Sequence, residues 1–280
     1  MNFDFYKYKT LENDYIVIDP NKTSLNLTKD NIIRLCHRKF GIGADGILYG
    51  PIFYDNGINL RILNSDGSEA EKSGNGVSIF SKYLVDTPYV KTKKLKIQTL
   101  GGEVSAEILD EHANIVKVDM GKVTFKSELI PVNGPEREVI KEDLQVNDNE
   151  YEVNCLSICN PHCVIPLNTI SKGLVEEIGS KLENHSNFPN GIKAQLLKII
   201  NKNTIQIEIW ERGVGCTLAS GSGGCAAAYV AYKLNLVNNC VQVQMPGGTI
   251  QIDIQASGYV QMTGTVQSVS KGFFGKDLLT

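Results

Sequence analysis

Two short stretches carry the residue types from which chemistry could be built. Residues 73–76 read "SGNG" and residues 220–223 read "SGSG". Each serine opens a run of small residues that passes into an apolar stretch with helical character. Backbone N–H groups at a helix start have no intrahelical partner, and the helix dipole adds partial positive charge there. One such end is a modest anion site. Two of them meeting at one carboxylate would place Ser73 and Ser220 on opposite sides of a ligand. That arrangement suits inversion of a stereocentre, which needs a base on one face and an acid on the other. A cysteine thiol near a helix start has a lowered pKa and could take either role. A serine hydroxyl is a far weaker acid, and nothing in the local sequence activates it. Taken singly, each serine is read as an N-cap. Neither stretch is a phosphate loop, because no Gly-Lys-Ser/Thr follows, and neither is a dinucleotide G-x-G-x-x-G turn.

The elements that must position these serines come in two copies. Residues 58–85 read "INLRILNSDGSEAEKSGNGVSIFSKYLV", and residues 205–234 read "IQIEIWERGVGCTLASGSGGCAAAYVAYKL". Ser73 aligns with Ser220, and Asn64 and Glu211 each lie nine residues earlier. Alternating apolar residues precede both turns, as in a half-buried strand. Helices are predicted after them, over Val77–Val85 and Cys225–Leu234. Then "LKIQT" answers "VQVQM", Gly101-Gly102 answers Gly247-Gly248 as a hairpin pair, "EVSAEI" answers "TIQIDI", and "VKVDMG" answers "YVQMTG". Matches in one order at nearly constant offset mark a duplication. The expected fold is α+β: two pseudo-symmetric domains, each a strand-rich, barrel-like sheet around a central helix, with the active site in the cleft between them. The first domain is predicted to span 1–121 plus about 266–280, the tail returning as a closing strand, and the second 122–265. The irregular "KVTFKSELIPVNGPE" marks the boundary.

Composition excludes several classes. The chain of 280 residues is 42% apolar and 21% charged, with a net charge of -3, so no basic surface calls for nucleic acid or an anionic membrane. Its apolar runs are too short to span a bilayer, and "MNFDFYKYKT" lacks a signal-peptide layout, so a cytoplasmic protein is expected. The seven cysteines are an odd number and read as reduced thiols. Cys155, Cys159 and Cys163 in "CLSICNPHC" are spaced by four, which matches no common zinc spacing. On one strand they would share a face as a packed apolar stripe, and no metal is expected.

The motifs "NSDGSEAEKSGNG", "NPH" (160–162) and "ERGVGCTLASGSGGCAAA" resemble the signature blocks of the diaminopimelate epimerase family, cofactor-independent amino-acid racemases and epimerases. "LENDYIVID" (11–19) and "FGIGADG" (40–46) resemble its two N-terminal blocks, so the resemblance covers nearly the whole chain. It implies two similar domains with the active site between them, no pyridoxal phosphate, and a small amino-acid substrate; a homodimer is a possible assembly. It also implies a thiolate base and a thiol acid where this chain has Ser73 and Ser220. His162 and Glu211 match residues that help ionise those thiols. Asn13, Asn64, Asn160 and Arg212 match side chains that hold substrate, and the backbone of Gly74-Asn75 and Gly221-Ser222 matches the carboxylate cradle. Without the resemblance the plainer readings stand: Asn13 and Asn64 as turn residues, Arg212 as half of a surface ion pair, His162 as a loop histidine.

Three departures set this chain apart. Both cysteines are serine, a matched pair of one-atom changes that reads as a deliberate inactivation; the rival is a natural relative that binds an amino acid without chemistry. Cys216 replaces the glutamate of the family's "RGAGET". In "FPNGIKAQ" Lys193 occupies the position of a substrate-binding asparagine, Asn190 lying three residues earlier. Lysine there adds a charge and three donors, which suits a side-chain carboxylate. The expected substrate is therefore an amino acid other than diaminopimelate, with diaminopimelate epimerase proper as the alternative.

Overall fold

Period-two alternation of apolar and polar residues builds strands along most of the chain in a computed structural model, which describes residues 2–54 and 57–279. The chain divides into two units, Met1–Asp119 with Thr263–Thr280, and Met120–Met262. In the first, β1 (Asn2–Thr10) pairs antiparallel with β2 (Asn13–Ile18). Helix α1 (Lys29–Cys36) crosses to β3 (Gly46–Tyr54), parallel to β2, and β4 (Gly57–Asn64) returns antiparallel to β3. The short β5 (Glu69–Ala70) folds back on β4. Helix α2 (Gly74–Asp86) then crosses to β6 (Lys94–Thr99), parallel to β4, followed antiparallel by β7 (Gly102–Ile108) and β8 (Ile115–Lys122).

The second unit repeats these pairings. Strand β10 (Asn149–Ile158) lies between β9 (Glu142–Val146) and β11 (Asn160–Pro166), antiparallel to both. Helix α3 (Lys172–Glu183) crosses to β12 (Lys193–Asn201), parallel to β11, and β13 (Thr204–Glu211) returns antiparallel. The short β14 (Gly215–Thr217) folds back on β13. Helix α4 (Gly221–Lys233) crosses to β15 (Cys240–Met245), parallel to β13, and β16 (Gly248–Ile254) follows antiparallel. β17 (Tyr259–Thr265) leads the chain back to the first unit, where β18 (Gln267–Gly275) pairs with β1. The fold is α+β, strand-rich with few helices. Among the described residues no helix is long and apolar enough to cross a membrane.

The crossover helices that follow Ser73 and Ser220 are enclosed by strands. α2 is buried continuously from Gly74 to Leu84, and α4 buries Cys225, Ala226, Ala227, Ala228, Val230 and Ala231. The buried residues of α4 are apolar or glycine, as suits a helix so wrapped, whereas α2 also buries Ser78, Ser81 and Lys82, which donate to Gly74 O, Val77 O and His112 O. Small residues let α4 lie close to its sheet: a Cβ at Gly224 would sit 2.7 Å from Ile250 Cδ1. α4 ends in Asn235 with φ 58, where Leu236 N–H donates to Ala231 O and Asn235 N–H to Tyr232 O, a Schellman closure. Both helices start earlier than the pattern predicts, at Gly74 and Gly221. The glycine-rich stretch is the first helical turn itself; the serine cap offsets the low helix propensity of glycine.

The cysteine stripe is corrected by the structure. The chain does not run straight through 155–163 but reverses at Cys159, an exposed residue with φ 62. Asn160 and Pro161 follow directly, and residues of these types favour turns. Cys155 and Cys163 instead face each other across the β10–β11 hairpin, both buried.

Candidate functional site

Each serine caps its helix with the same geometry. Ser73 has φ -145 and ψ 116, and Ser220 has φ -150 and ψ 119. Ser73 Oγ accepts from Gly76 N–H at 3.0 Å, and Ser220 Oγ from Gly223 N–H at 3.0 Å. The third helical residue has to be small. A Cβ at Gly76 would lie 3.3 Å from Ser73 Oγ, and one at Gly223 would lie 3.0 Å from Ser220 Oγ. The first intrahelical bonds run from Val77 N–H to Ser73 O and from Gly224 N–H to Ser220 O, both 2.9 Å. The N–H groups of Gly74, Asn75, Gly221 and Ser222 precede those bonds and so have no intrahelical acceptor.

In the first unit the cap is tied to the start of β2. Asn75 is 6% exposed; its Nδ2 donates to Asn13 Oδ1 at 2.7 Å, and its Oδ1 is buried without a partner. Asn13 Nδ2 donates to Asp45 Oδ2 at 3.3 Å, and the same oxygen accepts from Asp14 N–H at 3.1 Å. Asp14 receives Lys7 Nζ at 2.8 Å and Arg38 at 2.9 Å. Asn64 does not join this group; its Nδ2 donates to Ser68 Oγ at 2.9 Å within its own turn. A residue the sequence reading missed is Tyr15, which lies beside Ser73; burial raises its phenol pKa, and the Ser73 hydroxyl opposes that rise in part. Tyr15 stands two residues after Asn13 on β2 and so shares its face, a period-two relation legible in sequence.

The Asp14 network makes a stability prediction. Burial opposes ionisation of Asp14, but hydrogen bonds and charge from Arg38 and Lys7 hold its carboxyl below the usual 3.8. A depressed carboxyl stabilises the fold above its unfolded pKa, and that stability is lost as pH falls through the folded value. Asp14→Asn is expected to lower unfolding free energy by roughly 1–2 kcal/mol at pH 7. The deficit should shrink below pH 3.8, the ordinary value. Urea unfolding from pH 2 to 7 measures both; a deficit independent of pH would contradict the assignment.

In the second unit, strand register gathers the side chains. His162 on β11 pairs with Lys193 on β12, and Ala194 pairs with Trp210, so Lys193 comes opposite Glu211 at the end of β13. Lys193 Nζ lies 2.6 Å from Glu211 Oε2, both side chains largely buried. Burial penalises the Glu211 carboxylate, yet Lys193, then the Ser220 hydroxyl and His162, hold it below its usual 4.5. Glu211 Oε1 is buried and lacks a hydrogen bond of good geometry. His162 is fully buried, and burial followed by the Lys193 charge pushes its pKa down to about 3, so it is neutral at physiological pH. Its Nδ1 lies 3.1 Å from Gln195 Oε1, and its Nε2 has no partner. Gln195, two residues after Lys193 on the same strand face, was not singled out from the sequence.

The remaining predicted residues are placed less centrally. Asn160 shares the face of His162 on β11, and its Oδ1 is buried without a partner. Arg212 is exposed, donates to Asn190 O at 2.9 Å, and lays its stem against Gly191. Cys216 on β14 packs half-buried against the apolar core, and burial raises its thiol pKa. Ser222 is half-buried in the first turn of α4. Buried polar atoms without partners cost about 1–3 kcal/mol each. In the second unit Asn160, His162, Gln195 and Glu211 each carry one, as do Asn154, Glu208 and Thr217; in the first unit Asn75 carries one. Among the described residues no group of three or more His, Cys, Asp or Glu side chains is placed to hold a metal ion.

Comparison with known proteins places the chain. The family model described as diaminopimelate epimerase matches residues 5–126 and 154–269. The chain is 47% identical over 269 residues to diaminopimelate epimerase 2 of a Nostoc species, covering 96% of this chain and 94% of that one. It is 36% identical over 280 residues to the diaminopimelate epimerase of Nostoc punctiforme, covering 97% and 99%. Its fold is also that of a probable proline racemase from Agrobacterium radiobacter, with a TM-score of 0.69 at 12% identity over 97% of this chain and 92% of that one.

Proposed function

The chain belongs to the diaminopimelate epimerase family, and from that premise we propose an amino-acid racemase or epimerase that works without pyridoxal phosphate and is disabled by serine at both proton-transfer positions. One observation carries this reading: Ser73 and Ser220 are matched N-caps whose hydroxyls accept helical N–H groups at 3.0 Å. Those bonds engage the oxygens only, and even with the Ser220 hydroxyl beside Glu211 a serine hydroxyl is a far weaker acid than a thiol. Glu211 and neutral His162, with their lowered pKa values, are weak bases toward a hydroxyl. The same neighbours are better matched to a thiol, which ionises far more readily. As it stands, the chain holds its amino acid and turns over little or none.

The unpaired buried atoms support an amino-acid ligand. Asn160 Oδ1, His162 Nε2 and Glu211 Oε1 are acceptors, as an ammonium requires. The free N–H groups at the starts of α2 and α4 are donors, as a carboxylate requires. In this reading Asn13, Asn64, Asn160, Lys193 and Arg212 hold the substrate, and Gly74-Asn75 and Gly221-Ser222 cradle its carboxylate.

The substrate is an acidic or polar amino acid other than diaminopimelate. The support is Lys193, a cation at the position read as a substrate-binding asparagine and already paired with Glu211. A second reading, diaminopimelate epimerase proper, draws on the 47% identity to a relative of that name. A panel of glutamate, aspartate, glutamine and L,L- and meso-diaminopimelate separates them, read by α-proton exchange in heavy water with a Ser73→Cys/Ser220→Cys variant. Preference for diaminopimelate sinks the first reading. Lys193→Asn in that background is expected to move the ratio of kcat/KM values toward diaminopimelate by about tenfold or more, because a charged donor opposing the distal ammonium is removed.

A further inference from the structure

Gln195 stands at the meeting point of β12 and the first turn of α4. It is fully buried. Its Oε1 lies 3.1 Å from His162 Nδ1. Its Nε2 is buried with no partner. That nitrogen lies 3.2 Å from the point where a Cβ at Gly223 would sit, and Ser220 Oγ lies 3.0 Å from the same point. A glutamine serving only to fill the core would have both ends of its amide satisfied. Here one end engages a histidine and the other, unpaired, lies beside the first turn of α4 at Gly223.

We infer that Gln195 is a positioning residue for His162: its side-chain carbonyl holds the imidazole hydrogen on Nδ1, so that Nε2 keeps a bare lone pair as the acceptor the site uses. A carbonyl oxygen can only accept, so the nitrogen facing it must carry the hydrogen. In a neutral imidazole the other nitrogen is then the acceptor. His162 Nε2 is such an atom, buried and unpaired. The identity of the base thus depends on a residue 33 positions away. The use made of that lone pair rests on the isomerase reading above; the tautomer does not.

The test is a long-range proton–nitrogen spectrum of the four histidines, recorded on the folded, uniformly labelled chain. The unmodified chain is expected to show His162 at pH 7 with a protonated Nδ1 and an unprotonated Nε2. Gln195→Leu should abolish that preference, moving the two nitrogen shifts toward each other. Gln195→Glu keeps an acceptor and should retain the Nδ1–H form. It should also raise the titration midpoint by more than one pH unit, against the opposing charges of Lys193 and Arg212 and together with Glu211. A hydrogen on Nε2 in the unmodified chain, or shifts unchanged in Gln195→Leu, overturns the inference. In the Ser73→Cys/Ser220→Cys background, Gln195→Leu should lower kcat about tenfold or more while KM changes less. If the cysteine variant shows no turnover but the tautomer behaves as described, the isomerase reading fails and the role of Gln195 stands.

Discussion

Placing cysteine at both 73 and 220 is expected, on the function proposed above, to switch on α-proton exchange and inversion of an amino acid. A positioned general acid or base contributes roughly 10²–10⁴-fold, so the paired change should exceed that range for a single step. The single variants separate the two faces. With one thiol, a proton removed from one face returns to that face, giving exchange from solvent without inversion for one enantiomer only. Ser73→Cys and Ser220→Cys should therefore act on opposite enantiomers, and only the double variant should racemise. The gain has a structural cost, because both hydroxyls are N-caps and sulfur caps poorly. Each substitution should lower stability by about 0.5–1 kcal/mol, measurable by urea unfolding. If the double variant binds amino acids yet shows no exchange above the starting chain, the protein is a binder and the isomerase reading falls.

The second large effect concerns acid. His162 ordinarily would titrate near 6.5, but burial and then Lys193 push its folded pKa down to about 3. Between those values the unfolded chain binds a proton that the folded chain refuses, so stability is fully present above the unfolded pKa and drains as pH falls. One proton corresponds to about 1.4 kcal/mol per pH unit. From pH 6.5 to 4.5 the loss should reach roughly 2–3 kcal/mol. Glu211 does not confound this window: its pKa lies below the ordinary 4.5, so the stability it contributes is lost only at lower pH. His162→Asn will cost stability at pH 7 but should flatten the slope between pH 6.5 and 4.5. Urea unfolding at half-unit steps reads the slope; equal slopes in the two proteins would show that His162 is not refused its proton in the fold.

Several features were legible in the residues alone, and they are the local ones. An N-cap bond joins a serine to the third residue after it, so "SGNG" and "SGSG" suffice to place it. Strand alternation and hairpin glycines are likewise short-range, which is why the repeat could be read from residue order and reappears as repeated strand pairing. Where local reading failed, a backbone sign change was responsible: Cys159 adopts φ 62 and turns a presumed stripe into a hairpin. The partners of the site residues are of another kind. Asn13 meets Asn75 across 62 residues, and Gln195 meets His162 across 33. The Lys193–Glu211 pair exists because β12 and β13 lie in one particular register. Such contacts are decided by how crossover helices return each strand to its sheet, and the charge states follow from burial, a property of the assembled unit that no single residue possesses. Residue types therefore determined which groups are available to the site. Only tertiary structure decided which are paired, which are left unsatisfied, and which nitrogen of His162 faces Gln195.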